Sequence, residues 1–308
     1  MVLPRQYTNL FYKVRKGFLL GLLSVAWLLP VQGESNSKPI EIFVSILPQM
    51  DFVERIGGDR VSVHVMVGPG QSPATYEPTP RQMTKLTEAD IYFRIGTPFE
   101  NVWMDRIRAS NPSLTIIDAR DTIKLRDFAH NESLLEPLAE NRAHSHGLKD
   151  PHIWTNPLNV KIFMQHFTDT LVAMYPDNKT FFENNYRLLA TQLDDLDSKI
   201  QAIFQNNSKK EFLVFHPSWG YFADRYGLMQ IAIELEGKTP NAKDLASVID
   251  YANQHKIGHV FVQAQFSKKD AQAVANAING KVIPVDPLAE DYMNNLLVVA
   301  QKISESLR

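Results

Sequence analysis

Two histidines and one aspartate, far apart in the chain, are of the residue types from which a metal site is assembled. They are His152 in Asp150-Pro151-His152-Ile153-Trp154, His216 in Phe215-His216-Pro217-Ser218-Trp219, and Asp286 in Val285-Asp286-Pro287-Leu288. Each lies just past a hydrophobic segment, where an α/β sheet gathers its strand ends and binds its ligands. Proline at 151 confines the backbone ahead of His152. His216 leaves the apolar run Phe212-Leu213-Val214-Phe215, and Trp219, Tyr221 and Phe222 follow to wall a pocket. Taken singly, each residue has an ordinary explanation: a histidine satisfied by backbone or solvent, an aspartate capping a helix or turn before Pro287. Three coincident exits are harder to dismiss and point to one shared site. Two neutral imidazole nitrogens with one carboxylate suit Zn²⁺, whereas Mn²⁺ favours more oxygen and Ca²⁺ or Mg²⁺ nearly all oxygen.

The elements that must position these residues alternate between short β-rich runs and amphipathic helical ones. Strands are expected over 41–46, 61–67, 90–95 and 114–118 in the first half, and over 211–215, 229–233, 259–262 and 281–285 in the second. Helices are expected over 219–226, 242–255 and 268–279. This alternation implies parallel sheets with right-handed crossovers. Between the halves lie two helical stretches. The second runs from about 177 to 205, with Phe181, Phe182, Tyr186, Leu189, Leu193, Leu196, Ile200 and Ile203 recurring at helical spacing. At 1.5 Å per residue it spans about 40 Å, enough to run along two lobes as a stiff connector. The expected organisation is α/β: one lobe over 34–176, a linking helix over 177–205 and a second lobe over 206–308.

Residues 1–33 read as a secretory signal peptide. Lys13, Arg15 and Lys16 precede an apolar run from 17 to 29, and Val31-Gln32-Gly33 offers a cleavage site. That run is shorter than the roughly 20 residues of a membrane span, so an exported, soluble, periplasmic product is expected. The chain has no cysteine, which removes disulfides, thiolate ligands, thiol catalysis and a lipid-modified N-terminal cysteine. The formal charge is −2, and removing segment 1–33, which carries Arg5, Lys13, Arg15 and Lys16 and no acid, leaves −6; nucleic acid is therefore not an expected partner. The polar stretch 131–149, with His144 and His146, reads as a surface loop.

These motifs carry a resemblance. Residues 40–308 resemble the zinc/manganese solute-binding proteins of ABC importers, through Gly70-Gln71-Ser72-Pro73-Ala74-Thr75-Tyr76-Glu77-Pro78, Asp150-Pro151-His152-Ile153-Trp154, His216-Pro217-Ser218-Trp219-Gly220-Tyr221-Phe222, Glu234-Leu235-Glu236-Gly237-Lys238 and Asp286-Pro287-Leu288-Ala289. The resemblance implies two Rossmann-like lobes joined by one long rigid helix, with the metal held between them. It implies His152, His216 and Asp286 as ligands, matching the family's second and third histidines and its C-terminal aspartate. Ala74 stands where the family has its first histidine. Manganese members exchange the third histidine for glutamate, so His216 points to the zinc-type set. Water, His144, His146 or Glu77 are the alternatives for the place Ala74 leaves open, and His144 and His146 read more simply as solvated loop residues.

The function implied is non-enzymatic: a monomeric periplasmic protein that captures Zn²⁺ and delivers it to an inner-membrane ABC permease. A zinc-dependent periplasmic hydrolase is the alternative from another class, since three protein ligands and an open position also describe catalytic zinc. No His-Glu-x-x-His motif supports it, and Glu77 is a weak candidate base. A diverged binding protein for another metal or ligand is a third reading.

Overall fold

The computed structural model describes residues 38–128, 149–234, 241–266 and 268–308, so the expected signal peptide and the loop histidines His144 and His146 lie outside the described residues. The first half forms β1 (Ile40–Ile46), α1 (Leu47–Gly57), β2 (Val61–Val67), α2 (Pro80–Leu86), β3 (Ile91–Arg94), α3 (Pro98–Ser110) and β4 (Thr115–Asp118). Its strands pair in parallel in the order β2-β1-β3-β4. Two helices follow, α4 (Pro157–Met174) and α5 (Lys179–Phe204). The second half forms β5 (Glu211–Val214), α6 (Gly220–Tyr226), β6 (Met229–Ala232), α7 (Ala242–Gln254), β7 (His259–Val262), α8 (Lys268–Ala277), β8 (Lys281–Pro284) and α9 (Tyr292–Ser306). Its sheet repeats the topology, parallel in the order β6-β5-β7-β8.

The central strands are apolar because helices cover both faces of a parallel sheet. In β1 every residue but Glu41 is buried, and in β5 and β7 only the first residue is not. The expected strands and the observed ones agree to within one residue at each end. Phe215, Ile233 and Val285, just beyond three of those ends, still donate to Phe261, Val214 and Val262 carbonyls at 2.8, 2.9 and 2.9 Å. Pro284 is tolerated in β8 because that strand is an edge. The last two expected helices end early for a local reason: Lys256 and Asn279 adopt left-handed backbone, with φ of 54° and 51°, which closes α7 and α8.

The connector α5 is 26 residues, about 39 Å by its rise per residue. It buries a stripe of Phe182, Leu189, Leu193, Leu196, Ile200 and Phe204. It packs on α1 and α4 on the first-lobe side and on α6 and α9 on the second. Polar ties fix it at both ends: Asn185 Nδ2 donates to the Ile56 carbonyl at 2.9 Å, and Asp197 accepts from Arg225 Nε at 2.8 Å and from the Tyr226 hydroxyl at 3.1 Å. Helix α9 doubles back into this central layer, where Tyr292 meets Phe52 of α1 edge-on, ring centroids 4.7 Å apart. The last helix of the chain thus clamps both lobes to the connector. Among the described residues no helix is long and apolar enough to cross a membrane.

Candidate metal centre

His152 and His216 converge. Their ring centroids lie 5.3 Å apart, nearly perpendicular at 74°, and both line a cavity of about 70 Å³. That volume suits an ion with its immediate ligands rather than an organic ligand, whose pockets run to roughly 300–1,000 Å³. Ala74, Gln265, Phe266 and Leu288 complete the wall between them.

Each imidazole is held by a buried carboxylate on the same ring nitrogen. His152 Nδ1 lies 2.8 Å from Asp150 Oδ1, which also accepts from the His152 backbone N–H at 3.0 Å. His216 Nδ1 lies 2.7 Å from Glu234 Oε2. With the Nδ1 proton committed to a carboxylate, Nε2 is left with its lone pair in each ring, and the ring becomes more basic toward a cation. Asp150 and Glu234 are only 1 % and 5 % exposed, so water does not compete for these bonds. Burial lowers the pKa of His152, opposed by its bond to Asp150, which keeps the ring neutral and available to a metal.

The two imidazoles are set differently. Asp150 belongs to a lattice: Arg126 Nη1 approaches its Oδ2 at 3.2 Å, Arg126 Nε pairs with Asp224 of α6 at 2.9 Å, and the Tyr221 hydroxyl donates to the Asp150 carbonyl at 3.1 Å while accepting from the Arg126 N–H at 3.0 Å. Burial pushes the Tyr221 phenol up to about 12, so it stays a donor. The guanidinium lies against bare backbone at Gly220, where a Cβ would come within 1.5 Å of Arg126 Nη1. Next along, Trp154 Nε1 donates to the Pro287 carbonyl at 2.7 Å, and the Tyr292 hydroxyl to the Trp154 carbonyl at 2.8 Å. His216 instead leaves β5 directly, stacked on Phe266 at 4.7 Å and 19°, its backbone carbonyl accepting from Gln263 Nε2 at 2.8 Å.

The structure does not bring the Asp286 carboxylate into this cavity. Asp286 Oδ1 accepts from the Leu288 N–H at 2.9 Å, the turn role open to an aspartate before proline, and Asp286 lines a neighbouring depression with Lys268, Asn295 and Lys302. Pro287 and Leu288, one and two residues on, do line the cavity. Among the described residues no three His, Asp or Glu side chains are grouped closely enough to hold an ion. Ala74 does face the cavity, in a loop anchored by Phe99 N–H donating to the Pro73 carbonyl at 3.2 Å, while Glu77 is exposed and absent from the lining. Sequence reasoning gave no role to Asp150, Glu234 or Gln265. The only signal for the first two was a carboxylate two residues before one histidine and another just past the strand next to that of the second.

Comparison with known proteins gives the chain a family. The chain is 31 % identical over 269 residues to a putative metal-binding protein of Chlamydia trachomatis serovar D, covering 87 % of this chain and 92 % of that one. It superposes on a crystal structure of ZnuA with a TM-score of 0.79 at 38 % identity, covering 88 % of this chain and all of the other. A ZnuA deletion mutant with zinc bound gives a TM-score of 0.80 at 37 % identity, covering 88 % and 98 %. Residues 42–306 match the family described as ZnuA, zinc-uptake complex component A, periplasmic, and the chain belongs to that family.

Proposed function

We propose that this protein captures Zn²⁺ outside the cytoplasm and hands it to the permease of an ABC importer. The observation that carries the reading is the pair of imidazoles facing one small cavity, each backed on Nδ1 by a buried carboxylate, so that two Nε2 lone pairs are presented together. Neutral nitrogen donors of this kind favour zinc over Mn²⁺, Mg²⁺ or Ca²⁺. The relative with zinc bound at 37 % identity supports the same cation. In this reading His152 and His216 are first to bind, and Asp286, whose neighbours Pro287 and Leu288 line the cavity, joins as third ligand on closure. The leader 1–33 directs export to the periplasm and is cleaved. Capture is coupled to conformation because the ion bonds both sides only when they approach. The ties from Trp154 and Tyr292 across to the second lobe keep that movement small.

No catalytic role is assigned, and support for hydrolysis is thin: Glu77, the candidate base, is exposed and lies off the cavity lining. Metal analysis and zinc titration calorimetry test the proposal. One zinc per chain is expected, lost in both His152→Ala and His216→Ala. A wild-type protein that binds no zinc, or binds it equally well without either imidazole, overturns it.

A further inference from the structure

The cavity holds one polar group that nothing among the described residues satisfies. Besides the histidines, five polar side chains line it: Ser72, Thr97, Ser218, Gln263 and Gln265. Four are engaged. Ser72 Oγ accepts from the Ala74 N–H at 3.3 Å, and Thr97 Oγ1 donates to Glu100 Oε1 at 3.1 Å. Gln263 Nε2 donates to Ser218 Oγ at 2.7 Å and to the His216 carbonyl, and its Oε1 accepts from the His216 N–H at 3.4 Å. Gln265 differs: its side-chain amide nitrogen is buried and has no hydrogen-bond partner among the described residues. A buried orphan amide costs about 1–3 kcal/mol, so a group left in that state at a cavity wall calls for a ligand.

Its position supports the same conclusion. In both sheets the strand order reverses at the centre, and ligands of such sheets bind at the carboxyl ends of the two strands flanking the reversal. In the second sheet those strands are β5 and β7; the first leads into His216 and the second into Gln263, Gln265 and Phe266. Gln265 therefore approaches the imidazole pair from the adjoining strand end, beside the Phe266 ring that stacks on His216. The oxygen and nitrogen of a glutamine amide are nearly equal in size, so a half-turn of the terminal torsion puts the carbonyl oxygen where the orphan nitrogen lies.

We propose that Gln265 is a zinc ligand of this protein, its side-chain carbonyl oxygen occupying the coordination position that Ala74 leaves without a donor. The inference rests on the reading of this cavity as the zinc site. His152 and His216 supply the nitrogen donors zinc prefers, and Gln265 supplies a neutral oxygen in place of the carboxylate oxygen zinc usually takes, binding without loss of a proton.

Zinc and Co²⁺ titrations of the full protein carrying Gln265→Leu, Gln265→Glu or His152→Ala test it. Gln265→Leu is expected to weaken zinc by about ten- to a hundredfold, at least the effect typical of groups one shell further out. It should also alter the position and intensity of the Co²⁺ visible bands, while melting of the metal-free protein holds or rises as the orphan amide goes. Gln265→Glu, which keeps an oxygen at the same reach and adds charge, should restore or exceed wild-type affinity. If Gln265→Leu leaves zinc affinity and the Co²⁺ spectrum unchanged while His152→Ala abolishes binding, the inference falls and the zinc site stands. If it weakens zinc without changing the Co²⁺ spectrum and Gln265→Glu does not rescue, Gln265 supports the wall and is not a ligand. If wild type binds neither ion, the functional reading fails first.

Discussion

The two sheets share one topology and differ in what they do with its reversal point. In the first, the ends of β1 and β3 surround Glu100, which is fully buried and takes five hydrogen bonds: from Ser45 Oγ, Thr97 Oγ1 and the Ile95 N–H on one oxygen, and from Arg94 Nε and the Gly96 N–H on the other, at 2.6–3.1 Å. The crevice is filled by a charge the lobe satisfies itself. In the second, the ends of β5 and β7 bring His216 and Gln265 to the cavity wall, and the Gln265 amide nitrogen has no partner among the described residues. One reversal point is structural, and the other borders the cavity proposed to take the ion. The absence of a donor at Ala74 belongs with this division: the loops that follow the first sheet's strands, with Ser72, Ala74 and Thr97, supply wall to the cavity, and the first lobe's donor is His152, from the turn that leads into α4.

The largest effect that sharpens the contrast is on the structural side. Glu100→Ala strips Arg94 of a buried partner, and a loss of about 3–5 kcal/mol of folding stability is expected, as for other buried pairs broken from one side. Zinc affinity of the folded fraction should stay within a few-fold of wild type, read by denaturant melts beside calorimetry at low temperature. A Glu100 variant that melts normally but fails to bind zinc would break the division of labour between the sheets.

His216→Ala should behave in the opposite sense. It removes a donor and a stacked ring at a partly exposed site, so zinc affinity is expected to fall by at least about a hundredfold, more than removal of an outer carboxylate costs. Melting of the metal-free protein should change little. Glu234→Gln and Asp150→Asn, which leave the imidazoles but weaken their orientation, should each cost about ten- to a hundredfold. Equal loss of stability and affinity in His216→Ala would show that the open reversal point is as structural as the closed one.

Acid should act on folding through His152 and on zinc binding. Burial depresses the His152 pKa below its ordinary value of 6.5, so the folded protein binds fewer protons than the unfolded chain in the window just under that value. Stability from this group is therefore complete above about pH 6.5 and is lost as pH falls through the lowered folded pKa. Zinc binding should weaken over the same range, since both rings must be neutral to ligate. Calorimetry between pH 7.5 and 5 checks the sign, and affinity that does not change over that range excludes imidazole ligation.

Most of the fold was legible in the sequence because its signals are local. Apolar runs such as Phe212-Leu213-Val214-Phe215 mark central parallel strands, and the stripe from Phe182 to Phe204 marks the connector. Two residues in left-handed backbone, Lys256 and Asn279, closed helices earlier than periodicity indicates, since neither is the glycine that usually announces such an end. The site was legible in its histidines and not in what holds them. That Asp150 and Glu234 meet Nδ1 depends on side-chain direction in the turn ahead of α4 and at the end of β6, and that Gln265 is unpaired among the described residues depends on a count of neighbours across the cavity. Asp286 is the third residue of the motif reading; here its Oδ1 accepts from the Leu288 N–H and its carboxylate lies outside the cavity that Pro287 and Leu288 line.

The smallest expected effect bears on the place at Ala74 that lacks a donor. Ala74 lines the cavity from a loop whose course is fixed by Thr75 N–H donating to the Ser72 carbonyl and Phe99 N–H to the Pro73 carbonyl, both at 3.2 Å, so a longer side chain at 74 enters a prepared position. Ala74→His adds a nitrogen donor opposite His152 and His216 but must displace whatever occupies the fourth place. The net gain is therefore smaller than a full ligand's worth, about tenfold in zinc affinity, comparable to the lower end of outer-shell effects. In the Gln265→Leu background the same substitution should gain more, because the displaced donor is already gone. A gain that is identical in both backgrounds would mean that Ala74 and Gln265 do not share a coordination position. No gain in either would mean that the loop stands too far from the ion for any side chain at 74 to reach it, so that the missing donor at this position is a matter of distance and not of residue type.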